Sequence, residues 1–142
     1  MIDRIMTFID QKGLSFPLYL ECPPEDSADA QESLPVEKLD LGSYLVQNPS
    51  STFFVKVPDD SMTGAGINCD DLLVVDRSLK ATNGDVVVAV VDGKFTVKRL
   101  FVTKSKVELR ADCSKKGAPH VFKDESELNI WGVVKNVIHR FK

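Results

Sequence analysis

Across the last two-thirds of the chain, apolar and β-branched residues come in short runs, which turn-forming residues interrupt at roughly the 8–12-residue spacing of a small all-β domain. The runs cover residues 52–57, 72–76, 85–91, 94–102, 106–111, 120–122 and 129–141. Each predicts a strand. The clearest turn is Asp92-Gly93, which lies between two stretches rich in β-branched residues and reads as a type I′ hairpin. A two-residue loop there sets Val91 opposite Lys94, Ala89 opposite Thr96 and Val87 opposite Lys98. Alternation then places Lys98 on the face of Val87, Ala89, Thr96 and Leu100, in mostly apolar surroundings.

The front of the chain follows a different pattern. Ile2, Ile5, Met6 and Ile9 recur at helical spacing and predict a short amphipathic helix over residues 1–11, closed by Gly13. Residues 22–35 are Pro, Glu, Asp, Ser, Ala and Gln with scarcely a large apolar side chain. Such a stretch cannot bury enough surface to offset its ordering entropy and predicts an extended, mobile arm. Leu39, Leu41, Tyr44 and Leu45 suit one or two helical turns, which Asn48-Pro49-Ser50 ends. The expected organisation is an N-terminal arm over residues 1–45 and a mainly β domain over 46–142.

With 142 residues, 43% of them hydrophobic and 27% charged, the chain fits one soluble domain. At that size folding buries roughly 68–70% of the unfolded surface, so a core needs neither disulfides nor metal. No apolar stretch is long enough to span a membrane, and the acidic start Met1-Ile2-Asp3 does not read as a signal peptide. Cys22, Cys69 and Cys113 contain no C-x-x-C pair, and His120 and His139 are the only histidines, so neither zinc nor any other cofactor is expected. Free thiols, with Cys69 and Cys113 read as packing residues, fit a reducing cytoplasm. The net charge of −3 is uneven: residues 1–45 hold nine acidic and three basic side chains, residues 46–142 twelve and fifteen. An acidic front argues against direct DNA binding, which needs clustered Lys and Arg.

Ser61 and Lys98 carry the candidate chemistry. Ser61 follows a predicted strand and precedes Met62-Thr63-Gly64-Ala65-Gly66, where glycines allow a sharp turn. A hydroxyl on such a turn is open to a substrate, and the backbone N–H groups of Ser61 and Met62 are candidate oxyanion donors. A lysine stripped of water by apolar neighbours becomes a base, since burial favours the neutral amine. Most serines in such turns bond their own backbone, and most strand lysines extend their charge into water. Lys94 and Arg99 read as solvated charges, while spacing alone leaves Lys56 as an alternative base. Trp131 reads equally as a core residue or a dimer contact.

Several motifs in order carry a family resemblance over nearly all of the chain beyond about residue 15: Phe16-Pro17-Leu18, Gln47-Asn48-Pro49-Ser50, Asp60-Ser61-Met62, Asp70-Asp71-Leu72-Leu73-Val74-Val75-Asp76 and Asp92-Gly93-Lys94-Phe95-Thr96-Val97-Lys98. Together they resemble the UmuD-like members of the LexA/UmuD family of Ser/Lys self-cleaving peptidases. The resemblance implies a catalytic β domain of short, strongly bent strands behind a flexible arm, with Ser61 as nucleophile and Lys98 as general base. It also implies a homodimer, self-cleavage stimulated by RecA filaments on single-stranded DNA, and service to a UmuC-like Y-family polymerase in error-prone synthesis after DNA damage, with the replicative sliding clamp a further candidate partner. No helix-turn-helix fits the acidic front, so a repressor is not expected.

Two features depart from the family pattern. Its scissile bond is usually Cys-Gly or Ala-Gly, yet residues 16–50 contain neither pair, and counting from Phe16 places the expected bond at Glu25-Asp26. Position 59 is Asp where the family usually has Gly. Two functions therefore compete: a self-cleaving serine endopeptidase, and a non-cleaving dimeric module that binds and regulates a Y-family polymerase.

Overall fold

Each of the seven runs predicted between residues 52 and 141 forms a strand, trimmed by at most three residues at either end. The computed structural model describes residues 15–20, 37–115, 117–124 and 127–141, and the chain divides into two units between Pro49 and Ser50. The protein is mostly β, as its patterning implies.

In the first unit, β1 (Ser15–Leu18) pairs antiparallel with β2 (Glu37–Asp40), with Phe16 opposite Leu39. A five-residue helix, α1 (Leu41–Leu45), follows directly. Asp40 caps it: its carboxylate accepts from Ser43 N at 3.2 Å and from Ser43 Oγ at 3.0 Å. The helical turn expected around Leu39–Leu45 therefore begins two residues later than Leu39, and the residues before it form a strand. A four-residue stretch fits both periods, and pairing with distant Phe16 and Leu18 decides between them. The helix expected over 1–11 and the arm over 22–35, with the expected bond at Glu25-Asp26, lie outside the described residues.

The second unit is one seven-stranded antiparallel sheet. Its strands are β3 (Thr52–Lys56), β4 (Leu72–Asp76), β5 (Val86–Val91), β6 (Lys94–Val102), β7 (Val107–Arg110), β8 (His120–Phe122) and β9 (Ile130–Ile138), in the order β3-β4-β9-β5-β6-β7-β8. The β5–β6 hairpin has the expected register, with Val91 opposite Lys94, Ala89 opposite Thr96 and Val87 opposite Lys98. Asp92 and Gly93 take positive φ of 52° and 76°, as a type I′ turn requires.

Alternation along β5 and β6 sends side chains to two apolar clusters. Val88 and Val97 join Val55, Val57, Met62, Ile67, Leu73 and Val75 in one. Val87, Ala89 and Leu100 join Val107, Leu109 and Val133 in the other. Fully burying a Val or Leu side chain is worth about 1.5–3 kcal/mol, so these interior positions dominate the stability of the unit. Trp131 lies at the margin of the first cluster, tilted against Phe53 and Phe95 with ring centroids 5.4 and 5.0 Å away. Cys69 is exposed and Cys113 half-buried, so the expectation that Cys69 is a packing residue fails. Cys69 sits in a polar turn, where its own backbone N–H donates to Asp60 at 3.1 Å.

At Gly132 on β9, the side chain of Val75 on β4 fills the space that a Cβ would take. A Cβ there would lie 2.5 Å from Val75 Cγ1, whose residue is fully buried and cannot move aside. Gly132→Ala is expected to destabilise the fold by about 1–3 kcal/mol through overpacking. Chemical denaturation checks this as a lower midpoint with an unchanged slope.

Among the described residues, no helix is long and apolar enough to cross a membrane. Among them too, no three or more His, Cys, Asp or Glu side chains are grouped to hold a metal ion.

Candidate active site

The turn that carries Ser61 is held at three points. Met62 and Ile67 are 1% and 4% exposed and anchor it in the first apolar cluster. Between them, Ala65 N and Ile67 N donate to Met62 O at 3.0 and 3.2 Å, and Gly66 closes the 3-10 turn Thr63–Ala65 with φ of 81°. The third point comes from beyond β7: Asp112 N donates to Ser61 O at 2.8 Å, and Gly64 N donates to Asp112 O at 2.6 Å. The Ser61 turn is thus stitched to a segment 51 positions away in the chain. Asp112 is tied in turn to β6, where Arg99 Nη2 lies 3.4 Å from its carboxylate and Arg99 Nη1 donates to Gly84 O at 2.8 Å. Arg99 is therefore a half-buried bridge, in contrast to the solvated charge expected of it.

Lys98 reaches the serine from the neighbouring position on β6. Its Nζ lies 2.8 Å from Ser61 Oγ and 3.3 Å from the carbonyl of Val97. Both Ser61 and Lys98 are half-buried, and they open into a groove of about 420 Å³ whose walls include Leu109, Ala111, Ala118 and His120. Lys56, the alternative base, is exposed on β3 and does not line this groove.

Asp59 changes the electrostatics of the turn. Its Oδ1 accepts from the backbone N–H of Ser61 at 3.0 Å. Partial desolvation raises the carboxyl, but hydrogen bonds from the Ser61 side chain and backbone and the charge of Lys98 outweigh it, holding Asp59 below the ordinary carboxylate value. Of the two candidate oxyanion donors, the Ser61 N–H is thus already engaged. The Met62 N–H has no hydrogen-bond acceptor among the described residues.

Asp59 stands out in the sequence itself, and two further participants, Asp112 and His120, escape such a reading. Asp59 has a local signal, since an aspartate two residues before a backbone N–H commonly closes an Asx turn. Asp112 has none, because its role depends on where β7 ends in space. His120 lies far from Ser61 in the chain, and the position of β8 brings it to the groove.

Comparison with known proteins agrees with this architecture. The Peptidase S24-like family profile matches residues 24–135. Protein SamA of Salmonella typhimurium strain LT2 is 41% identical over 128 residues, covering 87% of this chain and 85% of SamA. Protein ImpA of Escherichia coli is 41% identical over 134 residues, with 94% and 82% covered. Protein MucA of Escherichia coli is 35% identical over 122 residues, with 84% and 82% covered. With the match spanning most of each chain, and the β fold carrying a serine on a glycine-containing turn beside a strand lysine, the chain belongs to the S24-like peptidases, among the UmuD-like proteins of the LexA/UmuD family.

Proposed function

We propose that this chain is a self-cleaving serine endopeptidase with Ser61 as nucleophile and Lys98 as general base. The separation of 2.8 Å between Lys98 Nζ and Ser61 Oγ, at a groove lined in part by Leu109, Ala111 and Ala118, carries this reading. In the neutral form the amine takes the hydroxyl proton as Oγ attacks the carbonyl carbon of a bound peptide bond. The tetrahedral oxyanion takes hydrogen bonds from backbone N–H groups at Ser61 and Met62. Collapse breaks the C–N bond, and the Lys98 ammonium returns its proton to the leaving amine. Water then attacks the Ser61 ester, with Lys98 as base again, and the peptide leaves as a carboxylate.

The substrate in this proposal is the chain's own N-terminal arm, with Glu25-Asp26 the bond given by position. By its family the chain acts as a homodimer in the cytoplasm, is stimulated by RecA filaments, and serves a UmuC-like Y-family polymerase and the sliding clamp in synthesis past DNA lesions. The absence of Cys-Gly and Ala-Gly from residues 16–50 favours a second reading, a binding module that never cuts itself.

Intact-mass measurement of the purified chain separates them. Cleavage is expected to shorten it from the N-terminus, faster at alkaline pH, which favours general-base catalysis by an amine, and faster with RecA filaments. A chain of unchanged mass in every arm that still binds a Y-family polymerase supports the binding module.

A further inference from the structure

Of the two candidate oxyanion donors, the Ser61 backbone N–H is held by a carboxylate. Asp59 Oδ1 accepts from it at 3.0 Å. The neighbouring Asp60 is committed elsewhere, to Cys69 N at 3.1 Å. Asp59 is itself exposed and lines the groove, so it takes no part in core packing. A tetrahedral intermediate needs that same N–H for its oxyanion, and a fixed negative charge beside the developing one opposes it.

We infer that Asp59 is a brake on this active site: its carboxylate occupies the Ser61 N–H, and Ser61 reaches full reactivity only when that bond opens. The inference rests on the Ser/Lys reading proposed above. The carboxylate is held ionised at neutral pH by its Ser61 hydrogen bonds and the Lys98 charge, which outweigh desolvation, so the brake is set under ordinary conditions. Its effect is on rate, and Asp59 is a positioning residue that acts through the turn.

The test uses the full-length chain, its Asp59→Ala and Asp59→Asn variants, and Ser61→Ala as control, each treated with a small fluorophosphonate at one pH. In that reaction Ser61 Oγ bonds to phosphorus, fluoride leaves, Lys98 takes the hydroxyl proton, and the phosphoryl oxygen occupies the oxyanion position. The labelling rate is read by intact mass, without requiring the scissile bond. Asp59→Ala is expected to label about tenfold faster than the unaltered chain. That is less than the roughly 10²–10³-fold worth of a complete oxyanion donor, because water competes for an exposed N–H. Asp59→Asn keeps an acceptor and loses the charge, so its rate falls between the two, and Ser61→Ala takes no label.

Labelling of the unaltered chain that neither Asp59 variant accelerates overturns the brake and leaves the Ser/Lys reading standing. Absence of Ser61-dependent labelling in all chains overturns both. Thermal unfolding shows that each variant is folded, and if Asp59→Ala is not, the rate of Asp59→Asn against the unaltered chain decides the outcome.

Discussion

Lys98→Ala is expected to slow Ser61-dependent self-cleavage by about 10²–10⁴-fold, the range a positioned general base supplies. Ala leaves the Ser61 hydroxyl without the group 2.8 Å away that would take its proton, so the residual rate depends on water and hydroxide. Lys98→Arg is the sharper variant. It keeps a long cationic side chain, but a guanidinium is not deprotonated in a protein and cannot act as base. Both variants are expected to be inactive and folded, since Lys98 is only half-buried. Cleavage followed by intact mass, with thermal unfolding as control, checks this. Near-normal cleavage by Lys98→Arg would remove Lys98 from the proton transfer.

Gly64→Ala is expected to cost activity out of proportion to stability. A Cβ at position 64 would lie 2.9 Å from the backbone oxygen of Asp112 and run into its carboxylate. The Gly64 N to Asp112 O bond at 2.6 Å is one of two that stitch the nucleophile turn to the segment after β7. Backbone contacts of this kind have no flexible atom to yield, so the turn shifts as a whole and takes Ser61 with it. A misplacement of about 1 Å costs roughly 10²-fold in rate. Gly64 is exposed, so the stability loss is expected to be smaller than that of Gly132→Ala, whose new methyl meets the buried side chain of Val75. Labelling rate and chemical denaturation, measured on the same samples, separate the two effects. Equal activity in Gly64→Ala and the unaltered chain would show that the Asp112 stitch does not position the serine.

Much of this arrangement was legible beforehand, for local reasons. Short runs of β-branched and apolar residues between turn formers are a property of neighbouring positions, and all seven strands of the second unit follow from them. Asp92-Gly93 demands a tight hairpin, and a tight hairpin has one register. The face that Lys98 shares with Val87, Ala89 and Leu100 was therefore determined before any coordinate. The glycine-containing turn marked Ser61 as exposed chemistry, and the ordered motifs marked the family.

Pattern could not supply what depends on the path of the chain between elements. The pairing of β1 with β2, across 18 intervening positions, overrides a helical pattern too short to hold its own ground. Asp112 and His120 reach the Ser61 turn through the order β5-β6-β7-β8, which no turn residue encodes. The amino-acid sequence by itself determined the strands, the hairpin register and the two reactive side chains, because backbone preference and burial act at short range. Only the tertiary structure decided that those side chains meet at 2.8 Å, and that Asp59 holds the donor beside them. Both contacts depend on the packing of Met62 and Ile67 into a core assembled from distant strands, where local propensity has no influence.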